Sequence, residues 1–539
     1  MPDPMVRPAP DFDSLWSQID YTKMEIPERF NIGVACLDVN DPTARALTVV
    51  ALDRTSQDYT FGEVTEQSNR MANALSALGV RRGDRVGVIN PASFETAVAL
   101  MGIFRMGAVA LPMSSLFGPD ALRYRIIDAG ARAVVVSSAN APRVREALAD
   151  SPDVQIVVVD GSPEGSREHD FREVLAATSA DFTPVDTRSE EPAFLIYTSG
   201  TTGDPKGALH AHRSLFGHIP GLEVLYEFYP QPGDVIWSPA DWAWIAGLMD
   251  ILVPAWYHGV PVVADADGAF NAERATWLLR EFGVTITLIP ATALRMIRAS
   301  GVSGGGFALR VLMSGGEPIG EDLLNWTAKF FDSTIVEAFG QTEFNPSIGN
   351  CPSVYPPKIG ALGRALPGTV VAVLDAEGNP VVDQIGELAM DRRHPSTLLQ
   401  YWAKPEATAE KFHGNWLLTG DLARQDTDGY LWFESRKDDV IKSSGYRIGP
   451  GEIEGSLGAH PAVAMSAVIG VPDERRGEVP KAFVVLREGY IGDEALADAL
   501  RAHVRERLAP HEVPRHIEFR DDLPKTTTGK IMRRALRDG

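Results

Sequence analysis

The segment Tyr197-Thr198-Ser199-Gly200-Thr201-Thr202-Gly203-Asp204-Pro205-Lys206-Gly207 follows the apolar run Phe194-Leu195-Ile196 and concentrates three glycines, four Ser/Thr hydroxyls and one lysine. Glycines let the backbone bend toward a ligand, hydroxyls and N–H groups donate to oxyanions, and the ammonium neutralises them. That composition suits a polyphosphate tail. The G-x-x-x-x-G-K-[ST] spacing is absent here, and near Gly529-Lys530 Ile531 stands where a hydroxyl would be needed, so neither is a Walker A loop. An exposed Gly/Ser/Thr loop is the plain alternative, but such density directly after a buried strand favours phosphate binding.

Four more segments carry chemistry. Ser314-Gly315-Gly316-Glu317-Pro318 follows the strand-like Leu309 to Met313 and offers bare backbone to a flat ring. Phe339-Gly340-Gln341-Thr342-Glu343 joins an aromatic face, amide and hydroxyl donors, and a carboxylate able to hold Mg²⁺. Thr419-Gly420-Asp421 sets a carboxylate after a glycine turn, which suits two ribose hydroxyls. Each of these alone is equally explained by a turn and a cap. In Leu523-Pro524-Lys525-Thr526-Thr527-Thr528-Gly529-Lys530-Ile531-Met532-Arg533-Arg534, a lysine rides on a hydroxyl-rich turn and can meet an anionic reaction centre; the alternative is a basic exposed tail.

These groups need a frame. Runs such as Arg85 to Ile89, Ala133 to Val136, Gln155 to Val159 and Thr285 to Ile289 are apolar on both faces, which predicts parallel strands covered by helices such as Val64 to Leu78 and Ala272 to Phe282. The chain therefore reads as α/β up to about residue 430, with a small β subdomain from Gly368 to Glu387. The polar cluster Glu434-Ser435-Arg436-Lys437-Asp438-Asp439 precedes a βαββα-like block. We expect a large domain over 1–435, built of parallel-sheet α/β subdomains plus the β subdomain, and a small mobile α+β domain over 436–539.

A length of 539 residues allows several domains at about 150 residues each. With 51 Lys and Arg against 72 Asp and Glu, the net charge is −21, and no basic stripe offsets it, so nucleic acid is not an expected partner. Two distant cysteines, Cys36 and Cys351, form neither a disulfide framework nor a zinc site and suit a reducing cytoplasm. The N-terminal segment has no apolar core of a signal peptide, and Trp242 to Trp256 is too short and too interrupted to span a membrane.

In their order, YTSGTTGDPKG, SGGEP, FGQTE, TGD, SRKDD, SGYRIGPGEIE and LPKTTTGKIMRR make the chain similar to the adenylate-forming superfamily. Within it, the chain resembles AMP-forming acyl-CoA synthetases such as the acetyl-CoA and medium-chain enzymes. The resemblance implies ligase chemistry in two steps. A carboxylate attacks the α-phosphate of MgATP to give acyl-adenylate and pyrophosphate; coenzyme A then displaces AMP as the thioester forms. Carried onto this sequence, Thr198, Ser199, Gly200, Thr201, Thr202, Gly203 and Lys206 would hold the β- and γ-phosphates. Gly316, Glu317 and Pro318 would line adenine and ribose, Phe339 would stack on the adenine, and Glu337 would sit near its amino group. Gln341 joins the nucleotide site, Thr342 would contact the α-phosphate and Glu343 would ligate Mg²⁺. Asp421 would bind the ribose with Arg436 helping, Arg447 would touch phosphate, and Lys530 would bridge carboxylate and α-phosphate.

For the second step the resemblance implies a hinge at Asp438, about which the small domain exchanges the Lys530 loop for Ser443-Ser444-Gly445. Ser444, Gly445 and Arg505 would meet coenzyme A. Acetylation of Lys530 would remove its charge and switch off adenylation. Homo-oligomerisation is left open. The acyl pocket is expected at Trp244, Gly315 and Gly340. Gly340 stands where acetate enzymes carry a pocket-closing Trp, which predicts a larger cavity and a short- to medium-chain fatty acid, while the Trp242 and Trp244 indoles keep an aryl-CoA ligase for a benzoate-like acid, or an acetyl-CoA synthetase, in view. An enzyme that loads a carrier protein and a non-catalytic ATP-binding regulator are the other classes. Ser444 and Arg505 argue against the first, Lys530 and Glu343 against the second.

Overall fold

The apolar runs become strands where their sequence says they should. Ala133–Ser137 and Gln155–Val159 are almost wholly buried, and Ile286–Leu288 forms the centre of the Thr285 to Ile289 run. Helix Phe61–Ala77 starts at a capping box in which Thr60 and Glu63 satisfy each other's backbone N–H groups, and Ala272–Glu281 starts at Asn271, whose side chain accepts from Arg274 N. The computed structural model describes residues 2–151, 153–198, 204–267, 270–317, 319–443, 446–473, 475–525 and 531–537, except the side chains of Lys442, Tyr446 and Arg447.

The chain divides into two compact units. The first holds the residues up to Thr198, Asp204–Val370 and Asp391–Asn415; the second holds Val371–Met390 and the chain from Trp416 onward. Two large sheets build the first unit. In one of eight strands, Pro192–Thr198, Val109–Pro112, Arg85–Ile89, Ala133–Ser137, Gln155–Val159 and Glu168–Asp170 run parallel, and Lys206–Ala211 and Gln400–Tyr401 add an antiparallel edge. In the other, of nine strands, the parallel run extends from Thr334–Gln341 through Val311–Gly315, Ile286–Leu288, Ile236–Trp237 and Val262–Asp265 to Arg45–Val50. Antiparallel strands close both its edges.

The second unit contains a small sheet in which Val371–Leu374, Pro380–Val381, Ile385–Asp391, Trp416–Gln425 and Leu431–Arg436 pack around Ala372, Leu374 and Ala389; it extends beyond the Gly368 to Glu387 segment read from the sequence and groups with the C-terminal part of the chain instead of with the large sheets. It also contains a sheet of Tyr446–Ile448, Ile441–Ser443, Gly477–Leu486 and Val463–Asp473, with His516–Phe519 parallel to Gly477–Leu486. Helices Pro450–Gly458 and Glu494–Arg507 supply its apolar face through Ile453, Leu457, Leu500 and Val504. Among the described residues, no helix is long and apolar enough to cross a membrane.

Candidate active site

Three of the chemical motifs sit at the carboxyl ends of parallel strands: Thr198 ends Pro192–Thr198, Gly315 ends Val311–Gly315 and Gln341 ends Thr334–Gln341. That is the edge at which open α/β sheets meet ligands, because the loops leaving adjacent strands part there. Thr198 and Lys206 are direct partners in an antiparallel pair, so the glycine- and hydroxyl-rich segment joins two paired strands, unlike the strand-to-helix turn of a Walker A loop. The Lys206 ammonium lies 5.6 Å from the centre of the Tyr401 ring. Ser199, Gly200, Thr201, Thr202 and Gly203 lie outside the described residues.

The residues after Phe339 form the best-defined part of the site. His210 Nε2 stands 2.8 Å from the Thr342 carbonyl, and because a carbonyl only accepts, Nε2 carries the proton. Burial pushes the His210 pKa down to about 4, so the ring is neutral at pH 7, and it stacks on Phe194 at 4.8 Å and 11°. The buried Glu343 carboxylate accepts from the Tyr401 hydroxyl on Oε1, and Lys411 Nζ lies 3.8 Å from the same oxygen. Burial alone would raise its pKa, but the Lys411 charge and the Tyr401 hydrogen bond outweigh that and hold it below the ordinary value. Lys411 also donates to Gln341 Oε1 at 3.2 Å. Phe339 is half-buried, its ring 6.4 Å from that of Phe344. Glu337 behaves oppositely to Glu343: desolvation raises it to about 7, only partly opposed by a hydrogen bond from the Ile319 backbone.

The neighbouring glycines are dictated by backbone. A Cβ on Gly340 would lie 2.5 Å from the Asn345 carbonyl carbon, at a bulge in the pairing of Thr334–Gln341 with Asn345–Gly349. The direction a side chain would take at 340 is thus filled by Asn345 and Pro346, and the expectation that Gly340 opens a cavity is corrected. Likewise a Cβ on Gly315 would lie 2.5 Å from the Ala338 carbonyl oxygen. Gly316 holds φ at +83°, where glycine is at ease. Glu317 accepts from Thr292 N–H at 2.6 Å and pairs with Arg295 at 3.2 Å, so its carboxylate caps helix Ala291–Ser300. Pro318 lies outside the described residues. Of the two indoles, Trp242 is buried, and Trp244 is half-buried with its ring edge-on to Phe117 at 5.9 Å.

In the second unit, Asp421 is buried and receives Arg436 Nη1 at 2.9 Å from the paired strand. Gly420, at φ +76°, brings its backbone against that guanidinium. Arg436 Nε also reaches Asp438 at 3.3 Å. Arg447 belongs to Tyr446–Ile448, where its backbone pairs with Lys442, and Arg505 is exposed on Glu494–Arg507. Ser444, Gly445 and Lys530 lie outside the described residues, but the chain on both sides of Lys530 is anchored. Lys525 bridges Ile531, and Arg533 binds Glu454 at 2.7 Å and Asp439 at 3.2 Å. Asp439 takes Arg537 as well, at 2.8 Å, which ties the last helix to the residue after Asp438.

Sequence reasoning missed Tyr401, Lys411 and His210 as partners of the Thr342-Glu343 loop. Tyr401 and Lys411 belong to no motif, and only the fold brings them to Glu343. His210 stands two residues before a second histidine, His212, but its partner is a backbone carbonyl that spacing cannot reveal.

Comparison with known proteins agrees with this architecture. The chain matches the family described as AMP-binding enzyme over residues 40–402 and the AMP-binding enzyme C-terminal domain over residues 452–530. It is 34% identical to the acetyl-coenzyme A synthetase of Bacillus subtilis (strain 168) over 493 residues, covering 89% of this chain and 85% of that protein. It is also 34% identical to the mitochondrial acyl-coenzyme A synthetase ACSM5 of Rattus norvegicus over 554 residues, covering 99% and 95%. Among solved structures, the anthranilate CoA ligase AuaEII in complex with anthranoyl-AMP superposes with a TM-score of 0.86 at 30% identity, covering 96% of this chain and 98% of that one. A benzoate CoA ligase from Burkholderia xenovorans LB400 superposes with a TM-score of 0.82 at 29% identity, covering 94% and 100%. The strand-end motifs, the matched segments and full-length relatives of this kind together establish that the chain belongs to the AMP-binding enzyme family.

Proposed function

We propose that this AMP-forming acid–coenzyme A ligase activates a short- to medium-chain carboxylic acid, first as the acyl-adenylate and then as the thioester. The observation that carries the reading is the buried, ionised Glu343 at the end of a parallel strand, beside Thr342, whose carbonyl is fixed by His210. Glu343 suits a hard cation, being a buried carboxylate kept ionised by Lys411 and by the Tyr401 hydroxyl on Oε1. Mg²⁺ bound there would neutralise phosphate oxygens of ATP. In this reading Thr342 steadies the α-phosphate, Lys206 and the segment before it take the β- and γ-phosphates, and Asp421 with Arg436 takes the ribose. Lys530 draws the acid to the α-phosphate and then leaves with the small domain, which turns at Asp438 and brings Ser444, Gly445 and Arg505 to coenzyme A. The free, buried Cys36 and Cys351 fit a reducing cytoplasm.

Trp244 is the half-buried indole on the expected acyl wall, and the backbone of Asn345 and Pro346 fills the space behind Gly340, so the pocket is bounded rather than open-ended. A panel from acetate through octanoate to benzoate, scored by kcat/KM for thioester formation, tests the size class. Activity should peak between butyrate and octanoate and fall toward both ends. A peak at acetate or benzoate would overturn the assignment, and benzoate activity would favour the aryl reading that the two aryl-CoA ligase neighbours support.

The raised Glu337 carboxyl gives a pH prediction. An adenine amino group donates to a carboxylate, so nucleotide selects the ionised form, and binding should tighten as pH rises through about 7. Below that point Kd should grow by roughly tenfold per pH unit, with a proton released on binding. Titration calorimetry in two buffers of different ionisation enthalpy measures that proton, which should vanish in Glu337→Gln. An equal proton release in the variant would remove Glu337 from the adenine site.

A further inference from the structure

Gly247–Leu252 is wound as a π-helix, the wider turn that recurs at functional sites, and it carries Asp250 into the interior with only 2% of its surface exposed. Asn345 Nδ2 donates to Asp250 Oδ1, and the Tyr226 hydroxyl donates to the Asp250 carbonyl at 3.0 Å, fixing that turn from its other side. Desolvation raises the Asp250 pKa well above the ordinary carboxylate value, and the hydrogen bond from Asn345 opposes that shift. Asn345 holds φ at +60°, a backbone state in which glycine would be easier, yet its side chain is kept and buried.

Asn345 also closes the loop that carries the proposed chemistry. It pairs with Gln341 across the hairpin, its carbonyl backs Gly340, and between those contacts lie Thr342 and Glu343. Among the buried polar groups that hold this loop are His210 on the Thr342 carbonyl, Tyr401 on the Glu343 carboxylate and, at its far end, Asp250 on the Asn345 side chain. We propose that Asp250, acting through Asn345, is a positioning residue that holds Thr342 and Glu343 in place for adenylate formation. The inference rests on the roles proposed above for those two residues. A link used only to satisfy a buried acid would matter to folding alone; this one ends two residues from the group assigned to the metal, where a small displacement is felt by the reaction.

The test uses the full-length enzyme and four variants: Asp250→Asn, Asp250→Leu, Asn345→Gly and the double variant Asp250→Leu/Asn345→Gly. Asp250→Asn keeps an acceptor at the same size, and Asn345→Gly suits the positive φ, so it folds even if Asp250→Leu does not. Three quantities are read beside the melting temperature: kcat for acid-dependent exchange of pyrophosphate into ATP, the Mg²⁺ concentration giving half that rate, and thioester formation from supplied acyl-AMP. Asn345→Gly and the double variant should lose at least about tenfold in exchange kcat and need more Mg²⁺, as misplaced catalytic groups do, with the thioester step within about twofold of wild type. Asp250→Asn should retain exchange. Unchanged exchange and Mg²⁺ dependence in Asn345→Gly would overturn the proposal, as would both half-reactions falling together with the melting temperature. Glu343→Gln, measured in parallel, separates the two levels. If it keeps exchange, the site reading itself fails; if it loses exchange while Asn345→Gly does not, only the positioning role fails.

Discussion

Lys530→Ala is expected to abolish acid-dependent pyrophosphate release, with a loss on the order of a thousandfold or more, the scale seen when a cation that compensates transition-state charge is removed. Two anions must meet in the first step, the acid and the α-phosphate, and the overall charge of −21 gives them no help. A local ammonium has to cancel their repulsion. The chain around Lys530 is suited to present one, because the Lys525 to Ile531 bridge and the Arg533 pairs with Glu454 and Asp439 anchor the residues on either side of its segment. Arginine at 530 should not restore the rate, since its planar fork cannot replace a compact point charge placed between two oxygens. Pyrophosphate release, followed continuously with saturating acid and ATP, reads the loss.

The second large effect is expected at Glu343. Glu343→Gln keeps the size and an acceptor for Tyr401 but deletes the charge, leaving Lys411 without its ionised neighbour. Exchange of pyrophosphate into ATP should fall by about a hundred- to a thousandfold, comparable to losing one preorganised electrostatic group. Raised Mg²⁺ should recover part of it. Lys411→Met is the informative companion: without that cation, burial is opposed chiefly by the Tyr401 hydrogen bond, the Glu343 pKa rises, and activity should fall on the acid side of the pH profile while remaining at high pH. An acid limb that stays put in Lys411→Met would show that Lys411 does not keep Glu343 ionised.

Much of the frame was legible because it depends on patterns local to the chain. Doubly apolar runs such as Val134-Val135-Val136 have no other place than a covered parallel strand, and the motifs that follow such runs necessarily emerge at strand ends. What a glycine is for was less legible. The absence of a side chain at Gly340 looks like space from the sequence, but Asn345 and Pro346 fold back onto it, and only the hairpin register shows that. Glu317 similarly reads as a ligand-facing acid in its motif, although its carboxylate caps the helix that starts at Ala291. Least legible were the supports of the Thr342-Glu343 loop. His210, Asp250, Tyr401 and Lys411 come from separate segments of the chain, and long-range packing alone brings them together.

The division of labour between the two steps is tested most directly by giving Lys530→Ala chemically prepared acyl-AMP and coenzyme A and measuring thioester formation. If Lys530 serves only the meeting of acid and α-phosphate, the variant makes thioester at close to the wild-type rate; a loss as deep as that of pyrophosphate release would contradict the account.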